Sequence, residues 1–145
     1  MGKKKPKVYL ASPWFKDNEK ALYNTIVKAI RKKNEVELYV PQEHTIENAD
    51  LLSNYVWGAQ VFDEDIWAIN DCDEVWVINF GLYSDSGTAW ECGYAYGLGK
   101  KIRMFVNNYD KEQIYSLMMI NGCYSVEAVS NLITDGNIFP EFEVK

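Results

Sequence analysis

A chain of 145 residues is about one domain long, and its 48% apolar content suffices for a buried core without staples, so intrinsic disorder is excluded. A formal charge of −6 argues against a nucleic-acid groove, where phosphates demand clustered Lys and Arg. No apolar stretch approaches the roughly 18 residues of a membrane span, and no signal-peptide core follows the N-terminal lysines, so a cytoplasmic protein with no membrane partner is expected.

The basic run Lys3-Lys4-Lys5-Pro6-Lys7 reads as a solvated tail (residues 1–6) ahead of a single domain over 1–145, rather than as a binding arm. Lys7-Val8-Tyr9-Leu10-Ala11 reads as a buried strand ended by Ser12-Pro13. From Asp17 to Lys33, Ala21, Leu22, Ile26, Ala29 and Ile30 recur at helical spacing between lysines. Val36 to Val40 is a second strand, and the polar segment from Gln42 to Ser53 a loop beside a pocket. Tyr55 to Asn70 is helical, with Phe62, Ile66 and Ile69 in step. Glu74 to Phe80 is the clearest strand, nearly continuous in apolar residues as a parallel strand covered on both faces should be. A Gly/Ser/Asp loop from Gly81 to Gly87 leads into a helix from Thr88 to Leu98, with Gly99 at its C-cap. Lys101 to Val106 is a fourth strand. A short helix around Lys111 to Met119, a weak strand near Cys123 to Val126 and a last helix from Glu127 complete the pattern.

Strands alternating with helices at this spacing predict an α/β fold: a flavodoxin-like three-layer sandwich with a five-stranded, mainly parallel sheet in the order 2-1-3-4-5. Ligands in such sheets bind beyond the carboxyl ends of the strands, at the switch point between strands 1 and 3. That rule selects the loops Ala11 to Lys16 and Gly81 to Gly87.

Glu91 is the one acid of ordinary pKa on an otherwise apolar stretch from Ser86 to Gly99. A helix apolar nearly all round is buried on most sides, and a carboxylate there is costly unless something compensates. Placement in the first turn, where the helix N-terminus favours negative charge, would supply part of the compensation. Thr88-x-x-Glu91 also matches a capping box, which would give Glu91 a purely structural task. Asp65 lies in the row Val61, Asp65, Ile69 and joins the inward stripe, whereas Asp63 and Glu64 point to solvent. Alone it reads as readily as a cap or ion pair; beside Glu91 it suggests chemistry. Two carboxylates at a pocket suit glycosyl transfer, one as nucleophile and the other moving a proton to the leaving group.

Competing motifs fail. Gly93-x-x-x-Gly97-x-Gly99-Lys100 ends a helix rather than opening one, and Lys101 stands where a phosphate loop needs Ser or Thr. The acids at 63, 65, 71 and 73 lack calcium-loop spacing. His44 is the only histidine, so no Ser/His/Asp triad is available, and it reads as a loop histidine rather than a metal ligand. Cys72, Cys92 and Cys123 show no C-x-x-C spacing and read as reduced thiols. No metal and no cofactor are expected. Ten tyrosines and five tryptophans favour an aromatic-lined pocket and a subunit interface.

Tyr9-Leu10-Ala11-Ser12-Pro13-Trp14-Phe15, the Asp65 helix and Asp85-Ser86-Gly87-Thr88-Ala89-Trp90-Glu91-Cys92-Gly93-Tyr94-Ala95 resemble the nucleoside 2-deoxyribosyltransferases, collinearly over nearly the whole chain. The resemblance implies transfer of 2-deoxyribose between purine or pyrimidine bases by double displacement. It makes Glu91 the nucleophile, Asp65 the acid that hydrogen-bonds the base, and Tyr9 the residue that orients Glu91. It further places Phe15 against the base, Asp85 at the sugar hydroxyls, and Gly87 among the substrate-binding residues. Members are homo-oligomers, dimer-based and often hexameric, in which a neighbouring subunit completes each pocket; the matching segment is Tyr115-Ser116-Leu117-Met118, with Ser116 and Met118 as contacts. The transferases usually carry Asn where this chain has Ser116, and related deoxynucleoside 5′-monophosphate N-hydrolases tend to have Ser. Asp85 weighs the other way, because a carboxylate facing the 5′ end repels a phosphate. The implied partners are a 2′-deoxynucleoside and a free nucleobase. An N-hydrolase and a non-catalytic nucleotide-binding module are the alternatives.

Overall fold

The computed structural model describes residues 4–80, 85–106 and 115–132. Its elements run β1 (Lys7–Ala11), α1 (Asp17–Lys33), β2 (Glu37–Tyr39), α2 (Asn54–Asp71), β3 (Glu74–Asn79), α3 (Ser86–Gly97), β4 (Lys101–Val106), α4 (Leu117–Gly122) and β5 (Ser125–Ala128). Short 3-10 turns occupy Pro41–Glu43, Ala49–Leu51 and Val129–Asn131. The strands form one sheet in the order β2-β1-β3-β4-β5, and every pairing is parallel. Helices cover both faces, which makes the fold the flavodoxin-like sandwich that the alternation predicted.

Strand alternation divides the core. Val8, Leu10, Trp76, Ile78 and Phe105 face α1, which buries Leu22, Tyr23, Ile26, Val27 and Ile30 against them. Each such side chain contributes about 1.5–3 kcal/mol of burial. Tyr9, Ala11, Val75, Val77, Met104 and Val106 face the other way, onto Ala68 and Ile69 of α2, Cys92 and Ala95 of α3, and Met119 of α4. All three cysteines are free thiols.

α1 starts where Glu19 Oε1 accepts the backbone N–H groups of Phe15 (3.1 Å) and Lys16 (2.9 Å). It ends at Asn34, whose φ of 54° is tolerable for Asn. Asp17 and Glu19 in its first turn and Arg31, Lys32 and Lys33 in its last complement the helix dipole.

Several expectations shift. α3 begins two residues earlier than Thr88 because Asp85, not Thr88, caps it: Asp85 Oδ2 accepts from the Thr88 N–H at 2.9 Å and from Thr88 Oγ1 at 3.1 Å. The Thr88/Glu91 capping box therefore does not form, and Glu91 sits in the second turn. α3 is also not buried on most sides: Trp90 and Tyr96 lie on an exposed apolar flank. The strand expected near Cys123–Val126 is β5 at Ser125–Ala128, so Glu127 lies in the sheet, where it accepts a hydrogen bond from Arg103 of β4 at 2.8 Å, and the helix expected from Glu127 does not begin there. The helix expected around Lys111–Met119 is seen as α4 from Leu117; residues 111–114 lie outside the described residues, as do 81–84 of the switch-point loop. Among the described residues no helix is long and apolar enough to cross a membrane.

Candidate active site

Parallel register sets the site. Tyr9 of β1 pairs with Val75 on one side and Tyr39 on the other, so its ring stands on the face covered by α2 and α3. Completely buried, it donates its phenolic hydrogen to Glu91 Oε2 across 82 positions of sequence, in a short bond. The Tyr9 ring stacks on Tyr39 at 5.6 Å between centroids, and Tyr39 on His44 at 4.1 Å. The column fixes the ring and hence the direction of the hydroxyl. His44 is thus an exposed loop residue with a definite packing task.

Glu91 and Asp65 line one cavity of about 430 Å³, together with Ile66 and Ile69 of α2 and Ser86 and Gly87 at the start of α3. Phe62 and Trp90 complete its wall, with an edge-to-face contact at 5.3 Å. Burial pushes Glu91 up to about 7; the Tyr9 hydrogen bond opposes that rise, and the charges of Asp65 and Asp85 add to it. Burial likewise raises Asp65 to about 6, with Glu64 adding and His44 opposing. Burial also holds the Tyr9 hydroxyl far above the ordinary phenol range, reinforced by the Glu91 charge, so it stays a donor. Two carboxyl groups poised near neutrality in one cavity can exchange protons or attack an electrophile without a metal ion.

The remaining candidates fall elsewhere. Gly87 borders the carboxylate cavity, and a Cβ there would meet Asp85 Oδ2 at 3.2 Å, so glycine keeps the cap and the cavity edge undistorted. Phe15 and Asp85 line a neighbouring cavity of about 230 Å³ at the carboxyl ends of β1 and β3. Ser116 and Met118 line a third, of about 580 Å³, between α3 and α4. One chain therefore brings Tyr9, Asp65, Gly87 and Glu91 together, sets Phe15 and Asp85 next door, and leaves Ser116 and Met118 in a cavity that Glu91 does not line. Sequence reasoning did not single out Tyr39, Phe62 or Trp90 as site residues. Their signal was aromatic content alone, which core residues share.

The fold is a parallel α/β sandwich with two carboxylates in one cavity beside its sheet. The chain belongs to the nucleoside 2-deoxyribosyltransferase family, whose sequence profile matches residues 8–132, a family of glycosyl-transferring enzymes. It is 25% identical over 127 residues to the nucleoside deoxyribosyltransferase of Lactobacillus leichmannii, covering 79% of this chain and 78% of that one. The structure of a 2-deoxyribosyltransferase from Bacillus psychrosaccharolyticus superposes with a TM-score of 0.71 at 28% identity, over 83% of this chain and 84% of the other. A conserved protein from Enterococcus faecalis V583 (TM-score 0.74, 18% identity, 90% and 96% covered) shares the fold. So does a CMP N-glycosidase from Clostridium botulinum (TM-score 0.54, 22% identity, 83% and 86% covered).

Proposed function

We propose that the protein transfers 2-deoxyribose between nucleobases by double displacement through a covalent deoxyribosyl–Glu91 intermediate. The observation that carries this reading is the half-buried Glu91, held by the Tyr9 hydroxyl and lining the same cavity as Asp65. A Glu91 carboxylate oxygen attacks C1′ of a 2′-deoxynucleoside, and the C1′–N bond breaks with its electron pair leaving on the base nitrogen. Asp65, whose raised pKa keeps it partly protonated near neutrality, supplies a hydrogen bond or proton to that base. An acceptor base then attacks C1′ and expels the Glu91 carboxylate, so configuration is retained over two inversions. No cofactor enters the balance.

Phe15, Asp85 and Gly87 are assigned to the base and sugar ends of the substrate. Ser116 and Met118 border a different cavity from Glu91 in their own subunit, so they are assigned to the site of a second copy of the chain. The 87% exposure of Met118 supports such a contact. A homo-oligomer, dimer-based, follows from this reading.

The test is incubation with 2′-deoxyinosine, with and without adenine, followed by chromatography. Formation of 2′-deoxyadenosine supports transfer, and Glu91→Ala should then reduce turnover by at least about a thousandfold. Hypoxanthine release indifferent to adenine would instead indicate the N-hydrolase that Ser116 favours. Turnover that survives Glu91→Ala would overturn both enzymatic readings and leave a binding module.

A further inference from the structure

Asp65 and Glu91 line one cavity from different helices, α2 and α3. α3 is fixed to the sheet by its buried Cys92 and Ala95 and by the bond from Tyr9 to Glu91. α2 is held far less by burial, since of its 18 residues only Ala68 and Ile69 are buried. Apolar contact is non-directional, so a stripe that narrow does little to fix where the helix lies sideways. That task falls to directional contacts with α3.

Two such contacts bracket the carboxylates. The Phe62 ring of α2 meets Trp90 of α3 edge to face at 5.3 Å. Further along, Asn70 Nδ2 of α2 donates to the Tyr94 hydroxyl of α3 at 2.7 Å. Asp65 falls between Phe62 and Asn70 in the chain, and Glu91 between Trp90 and Tyr94. Asn70 Nδ2 also donates to the Ile66 carbonyl at 2.9 Å, and because a carbonyl only accepts, the orientation of the amide is fixed. Tyr94 joins the two contacts, its ring stacked on Trp90 at 5.6 Å with 11° between planes. Phe62, Trp90, Tyr94 and Asn70 thus form a brace that leaves α2, runs one turn along α3 and returns to α2 about two turns further on. Lys100, just past α3, donates to the carbonyls of Asn70 (3.0 Å) and Cys72 (2.6 Å), so the end of α2 stays attached when the Tyr94 bond alone is lost.

We infer that Tyr94 is a positioning residue: through its hydrogen bond to Asn70 and its stack on Trp90 it holds α2 against α3 and sets where Asp65 stands relative to Glu91. This rests on the deoxyribosyl-transfer reading, in which Asp65 serves the leaving base while Glu91 takes the sugar, and adds to it the groups that keep the two in step. Reacting groups displaced by about 1 Å can lose about a hundredfold in rate, so a brace of this kind has a kinetic signature.

The experiment compares wild type, Tyr94→Phe and Asn70→Ala on 2′-deoxyinosine and on 7-methyl-2′-deoxyguanosine, with adenine as acceptor. Tyr94→Phe removes the hydroxyl and keeps the stack. Hypoxanthine leaves well only with a proton or hydrogen bond from an acid, whereas 7-methylguanine is already cationic in the nucleoside and departs neutral. The expected result is a loss of about tenfold in donor kcat/KM on 2′-deoxyinosine and of about twofold or less on the methylated donor. Asn70→Ala reaches the same bond from α2 and should show the same pattern, so either variant decides if the other fails to fold. In an Asp65→Asn background neither substitution should cost more than about twofold on 2′-deoxyinosine. Equal losses on both donors, no loss on either, or losses that add to that of Asp65→Asn would overturn the inference, since a merely structural contact has no reason to act through Asp65. If wild type does not turn over the methylated donor, the Asp65→Asn background decides alone. Wild type inactive on every deoxynucleoside would overturn the functional reading first, whereas an active wild type with indifferent Tyr94 and Asn70 variants overturns this inference alone.

Discussion

Glu91 lies in the second turn of α3, beyond the strongest influence of the helix N-terminus, so its charge depends chiefly on one donor, the Tyr9 hydroxyl. That dependence has a direction. The hydrogen bond lowers the Glu91 pKa against the rise imposed by burial. Tyr9→Phe removes the opposing contribution, so Glu91 holds its proton more tightly and titrates above about 7. A smaller fraction is then ionised at any given neutral pH. The ascending limb of the kcat profile should move to higher pH, with a loss of about ten- to a hundredfold near neutrality, as expected for a hydrogen bond to a charged group worth about 1.5–3 kcal/mol. Partial recovery toward about pH 9 would mark the loss as one of ionisation. A pH-rate profile that keeps its shape while losing amplitude would count against this role for Tyr9.

At the scale of elements, α3 carries Glu91, the proposed nucleophile, and is pinned at both ends. Asp85 caps its start; at its end Gly99 takes φ 77°, with its N–H bonded to Tyr96 O (2.9 Å) and the N–H of Lys100 to Ala95 O (3.0 Å). Gly99→Ala forces a Cβ into the left-handed region at a cost of about 1–2 kcal/mol. The outcome expected is a melting temperature several degrees lower with turnover at 25 °C unchanged, because Gly99 lies away from the residues that line the carboxylate cavity. Calorimetry alongside the adenine-exchange assay checks both halves. The same helix illustrates how local sequence misleads: Thr88 and Glu91 have capping-box spacing, yet Asp85, three residues before Thr88, is the better cap and takes the Thr88 N–H.

In the whole molecule, parallel β1 and β3 at the centre of the sheet bring residue 9 beneath residues 65 and 91. The flank of α2, α3 and α4 presents Trp67 (63% exposed), Trp90, Tyr96, Leu117 and Met118 to solvent, large apolar side chains of the kind that subunit interfaces cover. Under the proposed assembly, Met118→Asp should shift the protein toward monomer in sedimentation analysis and reduce exchange activity by about an order of magnitude or more, through loss of the completing subunit. A wild-type protein that is monomeric and fully active would sink that part of the proposal.

The sequence by itself determined what periodicity and composition control. The doubly covered β3, the amphipathic α1, the alternation that forces parallel crossovers, and the single carboxylate on α3 were all legible, because hydrophobic spacing reports which face is buried. Only the tertiary structure decided what depends on neighbours remote in sequence. The register of β1 against β2 stacks Tyr9 on Tyr39, and the approach of α2 to α3 puts Asp65 and Glu91 in one cavity. The separation of the cavities lined by Glu91, by Asp85 and by Ser116 belongs there too. Side-chain partnership across dozens of residues is set by packing geometry, which local pattern does not encode, and the pKa values that give the site its chemistry follow from that packing.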